Sequence, residues 1–109
     1  MALQIQRSFD QEENQWNIFP SGEVDIATAP AFRVALDEAF REKPGNMTIH
    51  FDELGYMDST GLGVIIGAYG RMKENGYRIV LQNPQENIQK LLNITNLDKI
   101  LCPESSKSK

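Results

Sequence analysis

The sequence contains few of the residues from which metal sites and covalent cross-links are built. Among its 109 residues there is one cysteine, Cys102, and one histidine, His50. One cysteine cannot form an internal disulfide, and the two residues together cannot supply the Cys and His ligands of a structural zinc site. A magnesium site formed by Asp52, Glu53 and Asp58 is an alternative, but acidic residues that flank a strand end are usually solvated.

Positive charge and long apolar runs are also scarce. The chain has 11 Lys and Arg against 15 Asp and Glu, which gives a formal charge of −4, and it has no basic cluster. This balance argues against direct binding to nucleic-acid phosphates. No apolar run approaches the ~20 residues that cross a bilayer. The first residues lack a basic segment followed by an apolar one, so we expect a cytoplasmic protein without a signal peptide or a membrane partner.

Hydrophobic periodicity predicts strands and helices in alternation. Apolar residues alternate with polar ones in the strands and recur at i, i+3, i+4 and i+7 in the helices. The predicted strands cover residues 3–9, 16–19, 47–51 and 79–81, and the predicted helices cover residues 28–43, 59–75 and a segment from 84, before a short final element at 97–101. The order β-β-α-β-α-β-α indicates a single α/β domain over residues 1–102. Its sheet is expected to be mixed and four- to five-stranded, with helices packed against it. Residues 103–109 have no large apolar side chain and are expected to form a disordered tail.

Turn and cap residues predict where several elements begin and end. Residues 20–22, Pro-Ser-Gly, are expected to end the second strand. Thr28 is a candidate N-cap of the first helix. Asn83 is expected to cap the third helix, with Pro84 at its first position and Glu86 completing a capping box.

The most informative segment lies between the third predicted strand and the second predicted helix, where residues 56–63 read YMDSTGLG. Open α/β sheets often carry their sites at the carboxyl ends of strands. Ser59 falls at the entry of the helix, where unpaired backbone N–H groups and the helix dipole favour an anion, so these donors are expected to accommodate a phosphate on Ser59. Either Asp58 or Ser59 can instead be explained simply as the N-cap.

Glycines recur along one face of the same predicted helix. Gly63, Gly67 and Gly70 follow an i, i+4, i+7 spacing, and each costs about 0.5–1 kcal/mol relative to alanine inside a helix. For Gly67 and Gly70 we favour close packing on the domain's own sheet, with a partner surface as the alternative. Gly61 and Gly63 are expected to lie in an exposed first turn and are better candidates for a partner surface.

The residues for several kinds of catalysis are missing. The GxxxxGK[ST] phosphate-binding loop and the GxSxG nucleophile elbow do not occur. His50 is expected in the middle of a strand, half exposed, and is a poor general base for Ser59. Cys102 is expected to be a small, semi-buried side chain. These observations argue against an enzyme.

Three segments of the chain resemble one protein family. Residues 56–64 are similar to the signature of the STAS-domain anti-sigma factor antagonists. Residues 22–25, Gly-Glu-Val-Asp, followed by Ala29 and Pro30, resemble the family's second marker. Residues 93–97 resemble the segment after the third helix, where glycine is more usual than Asn96. The similarity extends from about residue 3 to 102 and is greatest to the stress-response type, with the sporulation type also similar.

The resemblance implies a STAS fold and a switched binding protein rather than a catalyst. In the family, an anti-sigma factor that is itself an ATP-using serine kinase phosphorylates the serine at the position of Ser59. The unphosphorylated antagonist binds this kinase and releases the sigma factor, and a PP2C-type phosphatase reverses the modification. ATP and Mg²⁺ belong to the kinase, so the resemblance implies no cofactor for this chain.

The resemblance also implies a set of partner-binding residues around Ser59. They are Gly22, Glu23, Asp25, Asp58, Thr60, Gly61, Leu62 and Gly63. Two other functions are alternatives: a STAS subunit of a larger signalling assembly, and a nucleotide-binding protein. The second alternative lacks a lysine placed to hold phosphates.

Overall fold

A five-stranded mixed sheet supports the domain. The computed structural model describes residues 3–102, and the predicted tail at 103–109 lies outside these residues. The strands are β1 (Leu3–Asp10), β2 (Gln15–Val24), β3 (Asn46–His50), β4 (Leu54–Met57) and β5 (Ile79–Gln82), and the helices are α1 (Ala29–Glu42), α2 (Ser59–Glu74), α3 (Glu86–Ile94) and α4 (Asp98–Leu101). The predicted α/β class and element order are confirmed, and the short strand β4 supplies the fifth strand.

The pairing of the strands brings two chain segments to one edge of the sheet. Strand β1 is antiparallel to β2, and the order across the sheet is β1-β2-β3-β5. Both β3 and β4 pair with β2 in parallel, β3 with its first half and β4 with its last residues, where Val24 lies opposite Met57. The carboxyl ends of β2 and β4 are therefore neighbours, and so are the segments that follow them.

The hydrophobic core lies on one face of the sheet. Along β2, Trp16, Ile18 and Pro20 are buried, whereas Asn17 is partly exposed and Phe19 is exposed. The buried apolar side chains of strands and helices form one cluster. Its largest fully buried members are Phe32, Phe51, Ile18, Leu36, Met47, Ile49, Leu54, Ile65, Ile79, Ile88, Leu92 and Leu101.

Strand β2 continues through the residues that were expected to end it, so that prediction is wrong. The pairing of β1 with β2 includes Ile5 opposite Pro20 and Leu3 opposite Gly22. On the other side of β2, the pairing with β3 stops at Ile18 and the pairing with β4 starts at Gly22. Pro20 lies in this gap, where its missing N–H removes no ladder hydrogen bond.

The predicted capping box of the third helix is also wrong. Asn83 has φ +57°, a left-handed conformation, whereas an N-cap residue needs an extended one. Its side-chain amide instead donates to the Asp52 carboxylate at 3.1 Å. Helix α3 begins at Glu86, and Gln85 at the N-cap position makes no side-chain capping bond. Asn83 therefore turns the chain after β5 rather than starting the helix.

Candidate functional site

The candidate site lies at the edge where β2 and β4 end. The backbone N–H of Asp58 donates to the carbonyl of Val24 at 3.2 Å, which joins the two segments directly. The loop at 25–28 leads from β2 into α1, and Asp58 leads from β4 into α2. The structure thus pairs Glu23 with Tyr56 and Val24 with Met57, so the end of β2 lies next to the segment that leads into Ser59, although the two segments are more than thirty residues apart in sequence.

Asp58 is the N-cap of α2. Its backbone is extended, and its Oδ1 accepts hydrogen bonds from the N–H groups of Thr60 at 2.9 Å and Gly61 at 3.2 Å. Ser59 is the first residue of the helix and is exposed. Of the two sequence-based alternatives, the structure selects Asp58 as the cap, so the Ser59 hydroxyl has no part in starting the helix.

This cap changes what a phosphate on Ser59 would meet. The sequence predicted that helix N-terminal N–H groups would accommodate the phosphate. In the unphosphorylated chain the Thr60 and Gly61 N–H groups already bind the Asp58 carboxylate, so a phosphate would compete with Asp58 for these two donors. A phosphate there would add its charge beside a carboxylate instead of replacing a missing cap.

The loop after β2 is held in shape by Asp25 and Thr28. The Asp25 Oδ1 accepts hydrogen bonds from the N–H groups of Ala27 at 2.9 Å and Thr28 at 3.1 Å. The Thr28 hydroxyl donates to the carbonyl of Glu23 at 2.9 Å, and Thr28 makes no side-chain capping bond to α1. Thr28 occupies the predicted N-cap position, but its side chain fixes the loop rather than the helix.

Hydrogen bonding to Asp25 predicts a specific pH dependence of stability. The Thr28 N–H bond is the main cause that lowers the pKa of Asp25 below 3.8, the ordinary value for an aspartate. A lowered pKa contributes stability above the unfolded value and loses it as pH falls through the folded value. In Asp25→Asn, the amide oxygen can accept the same bonds but does not titrate.

We therefore expect the melting temperature of the wild type to exceed that of Asp25→Asn by a margin that shrinks as pH falls from 6 to below 3.8. Other carboxylates titrate equally in both proteins and cancel in the difference. Thermal melts followed by circular dichroism between pH 2.5 and 7 measure the margin. A margin that does not change with pH would show that the charge of Asp25 does not contribute to folding.

Two residues expected at a partner surface belong to the interior. Gly61 is buried, and a Cβ built on it would lie 2.6 Å from Val24 Cγ1 and 2.7 Å from Met57 Cγ. Its predicted exposure is therefore wrong, and close packing explains the glycine. Leu62 is also buried in the core and only 4% exposed, so it offers a partner almost no surface in this fold.

The other glycines of α2 lie on its outer side. A Cβ at Gly63 or Gly70 would meet no atom within 4 Å, and a Cβ at Gly67 would meet only the Arg71 guanidinium at 3.3 Å. The favoured expectation that Gly67 and Gly70 pack on the sheet is wrong. The predicted exposure of Gly63 is confirmed.

A shallow apolar groove beside the site was missed by sequence reasoning. This α1–α2 groove, with a volume of about 560 Å³, is lined by Ile26, Ala29, Pro30, Arg33, Val34, Thr60 and Val64. Ile26 is 78% exposed and Val34 is 51% exposed. The available signal was their position, because Ile26 is an isolated apolar residue in a polar loop and Val34 falls outside the apolar stripe of α1.

The remaining chemically reactive side chains are occupied elsewhere. His50 is partly exposed, as predicted, stacks on the Phe19 ring at 4.5 Å and has its Nε2 2.9 Å from Asn17 Oδ1. Cys102 is buried, and burial raises the pKa of its thiol to about 11, which keeps it protonated and unreactive near neutral pH.

Within residues 3–102, no cluster of three His, Cys, Asp or Glu residues could hold a metal ion. In the same range, no helix is both long and apolar enough to cross a membrane.

Known proteins share this sequence pattern and fold. The chain is 33% identical over 99 residues to the anti-sigma-B factor antagonist of Bacillus subtilis (strain 168), covering 91% of this chain and 90% of that protein. Its fold matches an anti-sigma factor antagonist from Mycobacterium paratuberculosis with a TM-score of 0.68 at 26% identity, covering 88% of this chain and 81% of that one. It also matches the phosphorylated form of the Bacillus cell fate determinant SpoIIAA with a TM-score of 0.69 at 23% identity, covering 91% and 87%.

The family assignment rests on most of the chain. The STAS domain model matches residues 8–108, a range that includes both β-strand ends of the candidate site and all of α2. The mixed sheet and its element order agree with the solved structures that the chain matches. The chain belongs to the STAS domain family.

Proposed function

We propose that the chain is an anti-sigma factor antagonist that Ser59 phosphorylation switches off. In its unphosphorylated form it binds a serine-kinase anti-sigma factor and frees the sigma factor. The kinase supplies ATP and Mg²⁺, and a PP2C-type phosphatase restores the binding form. The name of the B. subtilis relative supports the antagonist role, and the phosphorylated SpoIIAA structure supports control by phosphate.

One observation of the structure carries the proposal furthest. Ser59 is exposed at the first position of α2, and Asp58 supplies the cap that this helix needs. The hydroxyl can therefore be modified, and the phosphate removed, without breaking a hydrogen bond on which the helix depends. A modification site with this property can change binding while the fold stays intact.

The charge of the phosphate explains how binding would be lost. Phosphorylation adds about −1.5 to −2 charges at neutral pH. The N–H groups of Thr60 and Gly61 are bound to Asp58, so they are not available to neutralise it. A partner that fits the unmodified surface would have to desolvate this charge next to an existing carboxylate. A few kcal/mol of penalty reduces affinity by orders of magnitude, at about 1.4 kcal/mol for each factor of ten.

The proposed interface extends from Ser59 to the last residues of β2 and along the first turns of α2. Gly22, Glu23 and Asp25 approach from the end of β2, and Thr60 and Gly63 extend it along α2. Asp58 contributes its charge and positions the first turn of α2. Gly61 and Leu62 act from inside, by setting how closely α2 lies against β2 and β4.

Ser59, rather than Thr60, is expected to be the phosphoacceptor. Both side chains are exposed and adjacent, so only site-resolved mapping distinguishes them. The protein is incubated with ATP, Mg²⁺ and each serine-kinase anti-sigma factor of the source organism, and the product is mapped by tandem mass spectrometry. Thr60→Ala should still incorporate phosphate on Ser59, and Ser59→Ala should incorporate none. Stoichiometric phosphate on any other residue, with Ser59 unmodified, would overturn the proposal.

A further inference from the structure

Two large apolar side chains in the α1–α2 groove are exposed to solvent. Ile26 and Val34 project into solvent from the loop and from α1. The groove between them is apolar except for Arg33 and the hydroxyl of Thr60. Single exposed apolar residues are ordinary, but an apolar depression that several of them line is typical of a surface that binds another molecule.

The groove is continuous with the surface around Ser59. Thr60, the residue after Ser59, forms part of its wall, and so does Val64 one turn further along α2. Ile26, the residue after Asp25, forms the wall on the side of the β2–α1 loop. A molecule that covers Ser59 and Asp25 therefore reaches the groove without crossing any other element.

The charge around Ser59 indicates what the occupant carries beside its apolar group. Glu23, Asp25 and Asp58 gather at this edge of the sheet. Within residues 3–102, the ion pairs are formed by other acidic residues, namely Asp37, Glu42 and Glu86. Three acidic side chains that form none of these ion pairs attract a basic surface.

The same charges argue against a second copy of this chain as the occupant. A two-fold contact brings the same surface of both molecules together, so the acidic edges of two copies would face each other. The chain as a whole also carries a charge of −4. A different protein with a basic surface here can face the acidic edge without repulsion while it covers the groove.

We propose that the α1–α2 groove holds an apolar anchor side chain of the anti-sigma factor, with basic residues of that protein next to the anchor facing Glu23, Asp25 and Asp58. This inference rests on the proposed function and assigns it a second contact area. The groove supplies affinity through buried apolar surface, and Ser59 at its edge supplies control.

The test compares two equally exposed isoleucines. Ile26 is 78% exposed in the groove, and Ile94 is 80% exposed on α3. We expect Ile26→Ser to weaken binding to the anti-sigma factor by about tenfold or more, as truncation of an interface anchor does. Ile94→Ser should stay within about twofold of the wild type, because it lies outside the groove. Isothermal titration with each purified serine-kinase anti-sigma factor of the source organism gives the affinities, and circular dichroism confirms that both variants are folded.

A second variant, outside the loop, distinguishes loss of the groove contact from a change in the shape of the loop that carries Ile26. Val34→Thr replaces a half-exposed methyl group in α1 by a hydroxyl of the same shape, and it should weaken binding about threefold or more. If the wild type binds at least about tenfold more tightly than Ser59→Asp, but Ile26→Ser and Val34→Thr bind like Ile94→Ser, the groove proposal is wrong and the proposed function stands. If the unphosphorylated wild type binds none of these anti-sigma factors, the proposed function fails and the groove proposal fails with it.

Discussion

Ser59→Asp should bind the anti-sigma factor at least about tenfold more weakly than Ser59→Ala, a difference of about 1.4 kcal/mol or more. Aspartate places a second carboxylate next to Asp58, and the N–H groups that could have neutralised it already bind Asp58. Alanine removes the phosphoacceptor without adding charge, so this variant should bind like the unphosphorylated protein and should not respond to the kinase. Aspartate carries less charge than phosphate, so the phosphorylated wild type should bind more weakly still.

Both variants should fold, because the cap of α2 is the side chain of Asp58 rather than that of Ser59. An acid in the first turn of a helix is also favourable. We expect each free energy of unfolding to lie within about 0.5 kcal/mol of the wild type, as for surface substitutions without a special contact. Urea unfolding followed by circular dichroism checks this, and isothermal titration gives the affinities.

A matched variant separates local charge from net charge. Gln11→Asp adds the same charge in the exposed turn between β1 and β2, away from the edge where β2 and β4 end. It should bind the anti-sigma factor as the wild type does. If folded Ser59→Asp binds as tightly as Ser59→Ala, charge at this position does not control the complex. In that case the proposed switch is wrong.

Gly61→Ala and Gly70→Ala should change stability in opposite directions although both glycines lie in α2. A Cβ at Gly61 would lie 2.6 Å from Val24 Cγ1 and 2.7 Å from Met57 Cγ, side-chain atoms close to the backbone that have little room to move. Overpacking of this kind costs about 1–3 kcal/mol. At Gly70 the Cβ meets nothing within 4 Å, so alanine should stabilise the helix by about 0.5–1 kcal/mol.

Melting temperatures provide the comparison. A change of 1 kcal/mol shifts the midpoint by roughly 4–8 °C in a domain of about this size, so the two variants should melt about 6 °C or more apart. Gly63→Ala is the control, because Gly63 lies in the first turns of α2 near Gly61 but has open surroundings. We expect its melting temperature to rise as that of Gly70→Ala does. Equal stability of Gly61→Ala and the wild type would show that Val24 and Met57 can repack.

The predictions for Ser59 and Gly61 concern two parts of the same structure, the start of α2. Close contact of Gly61 with Val24 and Met57 sets the first turn of α2 against the ends of β2 and β4. Asp58 completes that turn with its two hydrogen bonds. Ser59 is then held at a defined place on the surface while its own side chain takes no part in the fold. A reversible phosphorylation switch requires both properties: a hydroxyl at a fixed position, and a hydroxyl that makes no hydrogen bond on which the fold depends.

The sequence by itself determined the class of the fold and its element order, and it indicated the candidate site. Alternation in residues 47–51 and helical spacing in residues 28–43 depend on which faces of a single element are buried, and a single element's sequence contains that information. The segment at 56–63 could be placed at the start of a helix for the same reason. Its resemblance to the antagonists then pointed to Ser59.

The tertiary structure alone decided what depends on contacts between distant segments. Pro20 stays inside β2 because the pairing with β3 stops before it and the pairing with β4 starts after it. From sequence, Gly61 was expected on the surface and Gly70 was expected to pack on the sheet, and the structure reverses both. Val24 and Met57 pack against Gly61, whereas a Cβ at Gly70 would meet nothing within 4 Å. The sequence shows Ile26 and Val34 as apolar residues outside the expected core positions, but only the fold joins residues 26–34 and 60–64 into the α1–α2 groove. Packing between such segments is set by the whole sheet, and no local pattern encodes it.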